Sequence, residues 1–278
     1  MTDYRQYRPA APLADFIECY WVHRSPGNPL RQERLIPGGR VEMIFNFADP
    51  FRYLIHEDTP GGHLITNVHF MGQRDQLFFG RHIGHTDMLG IRFKTGGLTA
   101  FTPVPVSSLL NRMIPAEDVL GTATKEWEAA LYEKKNDRDR LLFLDRLFLG
   151  MLGTRRHLPP EWHALRASLD LIRNSPEGAT LQAICHQTGW YYKKLERTFL
   201  KATGYTPKLY SRIVRFNKAI RRMHRQEDRS LTATAYECGY YDQAHFIKDF
   251  HRFAGATPGN FQPEDDTITQ FLIRHQPV

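Results

Sequence analysis

The sequence is poor in cysteine and has neither long apolar runs nor any compact catalytic signature. Its 278 residues include 3 cysteines, Cys19, Cys185 and Cys238. They lie far apart with no CxxC pair, which argues against a disulfide scaffold or a thiolate zinc site and suits reduced thiols in a cytoplasm. The most apolar helical stretch, Leu141 to Leu152, is interrupted by Asp145 and Arg146, well short of the ~20 apolar residues a bilayer demands. The opening MTDYRQYRPAAPLADF sets acids and prolines where a secretory leader needs an apolar centre, so neither leader nor membrane contact is expected. Walker A, GxGxxG, GxSxG and HExxH motifs are all missing, and no enzyme or cofactor is expected.

What is present is an ordinary globular composition, 41% hydrophobic and 24% charged, at a length comfortable for two domains. The net charge of +7 is unevenly placed. Residues 1–155 carry 19 Lys+Arg and 18 Asp+Glu; the remainder carries 37 − 19 = 18 basic and 30 − 18 = 12 acidic residues. A basic excess confined to one half is the electrostatic footprint of a polyanion partner, though a weak sign alone.

Self-comparison says more. Leu181 to Pro207 and Leu231 to Pro258 are two copies of one pattern. Leu181, Cys185 and Gly189 correspond to Leu231, Ala235 and Gly239 at an offset of 50, and Leu195, Phe199, Gly204, Thr206 and Pro207 to Phe246, Phe250, Gly255, Thr257 and Pro258 at 51. Each copy opens with a capping residue, Thr180 or Ser230, before a short helical run. A small residue then precedes a glycine by four, and glycine suits the left-handed position that ends a helix. A second run follows with apolar residues four apart, on one helical face. Helix, glycine turn, helix is the helix-turn-helix plan, whose second helix reads the major groove. Helical hairpins for protein contact are the competing reading, and the duplication on a basic domain favours DNA.

Between the copies, Leu209, Ile213, Phe216, Ile220 and Met223 form a 4-3-4-3 stripe that predicts one long amphipathic helix. Arg212, Arg215, Lys218, Arg221, Arg222 and Arg225 lie largely off that stripe, either on phosphates or on a solvated face.

At these residues the sequence resembles the AraC/XylS family of bacterial transcription activators. The motifs that carry the likeness are Arg215-x3-Ala219-x3-Met223 and AYECGYYDQAHFIKDFHRFAGATPGNF, and it spans about residues 161–262. It implies seven helices, two helix-turn-helix units bridged by a central helix, and both second helices on one side of a duplex. Carried over by position, the first would present Tyr192, Lys193, Lys194, Glu196 and Arg197 to DNA, and the second Gln243, Ala244, His245 and Lys248. Arg197 and Lys193 suit guanine, Gln243 adenine, Glu196 cytosine N4 and Ala244 at most a thymine methyl. The sequence departs from the family at Tyr191 and Tyr241, where serine is usual and tyrosine cannot cap; Asp242 is the candidate cap for the second helix. Thr234 replaces an isoleucine. The likeness also implies RNA polymerase as a partner, and an N-terminal domain that binds a small-molecule effector, forms a homodimer, or both, in the cytoplasm at the nucleoid.

The first half reads as β-rich. Segments 16–23, 41–47, 51–56, 68–72 and 86–93 are rich in β-branched and aromatic residues, punctuated by Gly, Pro and Asp. They predict a small antiparallel barrel or sandwich, and PGGRVEMIFNF and GIRFKTGGLTAFTPVP loosely resemble a cupin-like sensor. Two trailing helices are expected at 117–132 and 137–152, the second with an apolar face open to core or dimer contact. The histidines, among them His63, His69, His82 and His85, show no HxH and read as loop or core residues. Trp21, Phe45, Phe47, Phe70 and Phe79 suit a core, or else a pocket lining. The chain is thus α+β: a β-rich N-terminal domain (1–154), a linker (155–160), an all-α double helix-turn-helix domain (161–263) and a tail (264–278). A fused alkyl-transfer enzyme would need an activated thiol, and Cys19, on a strand with no expected electropositive neighbour, and Cys185, in the small-residue slot, read as inert.

Overall fold

The computed structural model describes residues 3–26, 32–54, 62–153, 160–175, 180–225 and 230–261. Most of the linker and all of the tail therefore lie outside the described residues, as do residues 55–56 of the segment expected at 51–56.

Among the described residues, ten strands form two antiparallel sheets. They are β1 Asp3–Tyr7, β2 Ile17–Ser25, β3 Gln32–Leu35, β4 Val41–Asn46, β5 Phe51–Leu54, β6 His63–Ile65, β7 His69–Met71, β8 Phe78–His82, β9 Thr86–Phe93 and β10 Met113–Pro115. One sheet runs β1-β2-β9-β4-β7-β10 and the other β3-β8-β5-β6. All five expected strands are present. β1, β3, β6, β8 and β10 were missed, because they are short, polar or interrupted by glycine, so their pairing comes from neighbours rather than propensity.

The period-2 pleat sorts the side chains of the larger sheet. Cys19, Trp21, Ile44, Met71 and Met88 face the second sheet and pack with Leu35, Phe51, Tyr53 and Phe78. Their neighbours Tyr20, Val22, Met43, Phe45, Phe70, Leu89, Ile91 and Phe93 face the other way, into the core shared with the helices. β4 is buried at every position since both its faces are covered. Gly90 pairs with Trp21 across the sheet, and a Cβ there would lie 2.0 Å from the indole ring. Of the aromatics considered for a pocket, Trp21 faces the space between the sheets, while Phe45 and Phe70 belong to the helix-side core.

The helix expected at 117–132 is two, α1 Glu117–Leu120 and α2 Ala123–Tyr132. Gly121, at φ +87°, takes a backbone conformation that no right-handed helix can contain. α3 Asp137–Gly153 lays Leu144 and Phe148 on the sheet core, with Phe148 edge-on to Phe93 and Phe101. Core packing thus takes that stripe, while Leu142 is left exposed.

The C-terminal helices are α4 Trp162–Asn174, α5 Leu181–Thr188, α6 Tyr192–Thr203, α7 Pro207–Arg225, α8 Leu231–Glu237 and α9 Gln243–Ala254. Against the seven that the resemblance implies, the described residues form six α-helices followed by a 3-10 turn, Pro258–Asn260. No helix among the described residues is long and apolar enough to cross a membrane.

Candidate nucleic-acid interface

Each repeat unit is built by local rules that its sequence obeys. The Thr180 hydroxyl accepts from the Ala183 amide at 3.1 Å and the Ser230 hydroxyl from Ala233 at 3.1 Å, satisfying amides that open α5 and α8. Gly189 and Gly239 follow in the left-handed region, at φ +66° and +82°. The carboxylate of Asp242 caps α9, accepting from the His245 amide at 2.7 Å. Tyr191 stands at the corresponding place before α6, extended but without a side-chain cap.

α7 joins the units. Ile213, Phe216, Ala219 and Ile220 are buried along it, and Phe216 meets Phe250 and Phe253 of α9. Most of its basic residues have protein partners, an outcome neither sequence reading anticipated. Arg212 grips Asp249, the Arg215 guanidinium lies over Tyr240 at 5.5 Å, Lys218 Nζ donates to the Ser175 carbonyl at 3.2 Å, and Arg222 pairs with Glu237. The Asp249 carboxylate raises the Arg212 pKa through their hydrogen bond, and burial raises that of the Tyr240 phenol. These contacts brace the domain.

On α6, Leu195, Phe199 and Ala202 turn inward, leaving Tyr192, Lys193 and Arg197 exposed. Lys193 and Arg197 form no ion pair or hydrogen bond with the described residues. Tyr192 Oη donates to Glu196 Oε1 at 3.0 Å, which raises the phenol pKa, and Lys194 Nζ lies 5.2 Å from the Trp190 ring. On α9, Ala244 and Lys248 are exposed. Gln243 Oε1 accepts from Thr232 Oγ1 at 2.8 Å and keeps a second lone pair and its amide hydrogens for another partner. His245 is turned toward the protein, edge-on to Tyr240 with Nε2 3.8 Å from Asp249. The two helices thus differ: α6 offers cations and a carboxylate, α9 an amide, a methyl and one lysine.

Between the sheets lies a second polar group. Arg92 Nε donates to Glu42 Oε1 at 2.5 Å, and His82 Nε2 is 3.3 Å from Glu33 Oε1. Arg92 also approaches Cys19 Sγ, at 3.7 Å, which corrects the expectation that this thiol has no electropositive neighbour. Residues 73 positions apart meet there only because β2 and β9 pair. Burial outweighs the cation and pushes the Cys19 thiol up to about 11, which disfavours the reactive thiolate. Burial also lowers His69 to about 4, leaving its ring neutral. Its Nδ1 donates to the Asn67 carbonyl at 2.9 Å, so Nε2 is a bare acceptor. That atom and the Trp21 Nε1 donor are buried without a hydrogen-bond partner among the described residues. No three potential metal ligands converge among the described residues.

Two family models match separate parts of the chain. Residues 184–263 match a family model described as a helix-turn-helix domain, and residues 5–115 one described as a domain of unknown function (DUF6597). The HTH-type transcriptional activator RhaS of Salmonella arizonae is 34% identical over 89 residues, 32% of each chain; the protein thus aligns with about a third of the length of the curated relatives it matches. Among solved structures, ToxT from Vibrio cholerae aligns over 82% of this chain and 95% of its own at 10% identity and TM-score 0.48. An AraC-type regulator from Chromobacterium violaceum aligns over 35% of this chain and 87% of its own at 26% identity and TM-score 0.32. The two capped helix-turn-helix units on a common helix thus coincide with the residues that are similar to a helix-turn-helix domain.

Proposed function

We propose that this protein is a sequence-specific DNA-binding transcription regulator whose α6 and α9 enter successive major grooves. The reading rests on one observation: two duplicated helix-turn-helix units hang on α7, and each second helix leaves polar side chains in solvent. Arg197 and Lys193 donate to guanine O6 and N7, Glu196 accepts from cytosine N4, Gln243 pairs with adenine and Ala244 touches a thymine methyl. Tyr192, Lys194 and Lys248 lie along the backbone, and His245 contributes only if its ring swings off Asp249. The N-terminal domain takes a small polar effector between its sheets, where Trp21 Nε1 and His69 Nε2 offer one donor and one acceptor. The regulator works in the cytoplasm at the nucleoid, with RNA polymerase and a second copy of itself as partners. Selection of bound fragments from random duplex DNA tests this. A defined operator, with affinity falling steeply as salt rises, is expected; uniform retention of all sequences would refute it.

A further inference from the structure

Residues 73–77, between β7 and β8, lie against both repeat units at equivalent places. Gly204 and Gly255 end α6 and α9 in the left-handed conformation and correspond in the repeat. A Cβ on Gly204 would fall 1.6 Å from Gln73 Nε2, and one on Gly255 2.6 Å from Leu77 Cδ2. Beside the first glycine, Tyr205 Oη donates to the Arg74 carbonyl at 2.8 Å; near the second, Arg252 Nη2 stands 3.5 Å from Asp75 Oδ2. One five-residue segment of the N-terminal domain therefore touches the C-terminal ends of both exposed helices.

The segment is itself braced. Gln73 Nε2 donates to the Val106 carbonyl at 2.9 Å, and α6 packs on the 3-10 turn Val106–Leu109. The Asn111 amide donates to the Gln73 carbonyl at 2.8 Å. The Asn111 side chain holds Asp75 twice, accepting from its amide at 3.1 Å and donating to its carboxylate at 2.7 Å. Asn111 does this from φ +58°, a conformation uncommon outside glycine.

We propose that residues 73–77 act as a spacer that fixes the separation of α6 and α9, making this segment a determinant of the distance between the two half-sites on DNA. The inference rests on the DNA-binding reading above. Two linked reading heads discriminate between spacings only when the link is stiff, because a loose link lets each head find its half-site at any separation. α7 connects the heads along one edge, and the 73–77 segment adds a second, independent tie at the ends of the helices.

The test uses the full chain. An operator is selected from random DNA, and affinity is measured for it, for versions with one base pair inserted or deleted between half-sites, and for one half-site alone. Wild type should lose about tenfold on changing the spacing. In Leu77→Ala and Asp75→Asn that loss should shrink to about threefold or less, with half-site affinity unchanged, while Leu77→Met behaves as wild type. Asp75→Asn keeps an oxygen for Asn111 and decides the matter if Leu77→Ala fails to fold. Folded variants with the wild-type spacing ratio, or with all affinities lowered equally, overturn the spacer. So does a wild type that selects an operator but ignores its spacing; a wild type that selects nothing instead removes the DNA-binding reading beneath it.

Discussion

Arg212 on α7 holds Asp249 on α9 with both carboxylate oxygens, at 2.6 to 3.2 Å, and the carboxylate is 1% exposed. This pair ties α9 to α7, the helix that carries both units. Its Coulombic gain is largely offset by desolvation, but removing one member strands a charge in the core. Arg212→Ala should therefore cost about 3 kcal/mol, measured by urea denaturation. A loss below about 1 kcal/mol, the level of a surface pair, would mean that Asp249 finds another partner.

The helices α6 and α9 begin differently, and this can be measured. Asp242 caps α9, whereas Tyr191 leaves the start of α6 without a side-chain acceptor. Asp242→Ala should destabilise by about 1 kcal/mol and Tyr191→Ser should stabilise by a comparable amount. Thermal unfolding of both variants gives the answer; equal and opposite shifts support the capping account, and no gain from Tyr191→Ser contradicts it.

Arg197 is exposed on α6 and free of protein partners among the described residues. Arg197→Ala should weaken operator binding by about 1–3 kcal/mol and leave binding to unrelated duplex nearly as it was. Competition titrations on both DNAs measure the two together. Equal losses on each would make Arg197 a phosphate contact instead.

Burial keeps the His69 imidazole at about 4, below the roughly 6.5 of an unfolded chain. As pH falls, the unfolded state takes the proton first. The stability owed to the neutral ring is complete above about 6.5 and is lost on the way down to about 4, roughly 3 kcal/mol in all. Denaturation at pH 7 and pH 4.5 should show wild type weakening more than His69→Gln. Parallel decline of the two would place the acid sensitivity elsewhere.

The sequence by itself determined the parts governed by short, fixed offsets: the duplicated pattern, the Thr180 and Ser230 caps, the glycine stops and the apolar stripe of α7. These depend on hydrogen bonds and faces within a few residues, so composition at the right spacing suffices. Only the tertiary structure decided that Arg92 sits beside Cys19, that the basic residues of α7 are claimed by Asp249, Tyr240 and Glu237, and that residues 73–77 reach Gly204 and Gly255. Such contacts join residues far apart in the chain, and no local periodicity encodes them. They exist because the sheets and helices, once formed, have few ways to bury their apolar faces together, and packing then chooses which polar groups meet.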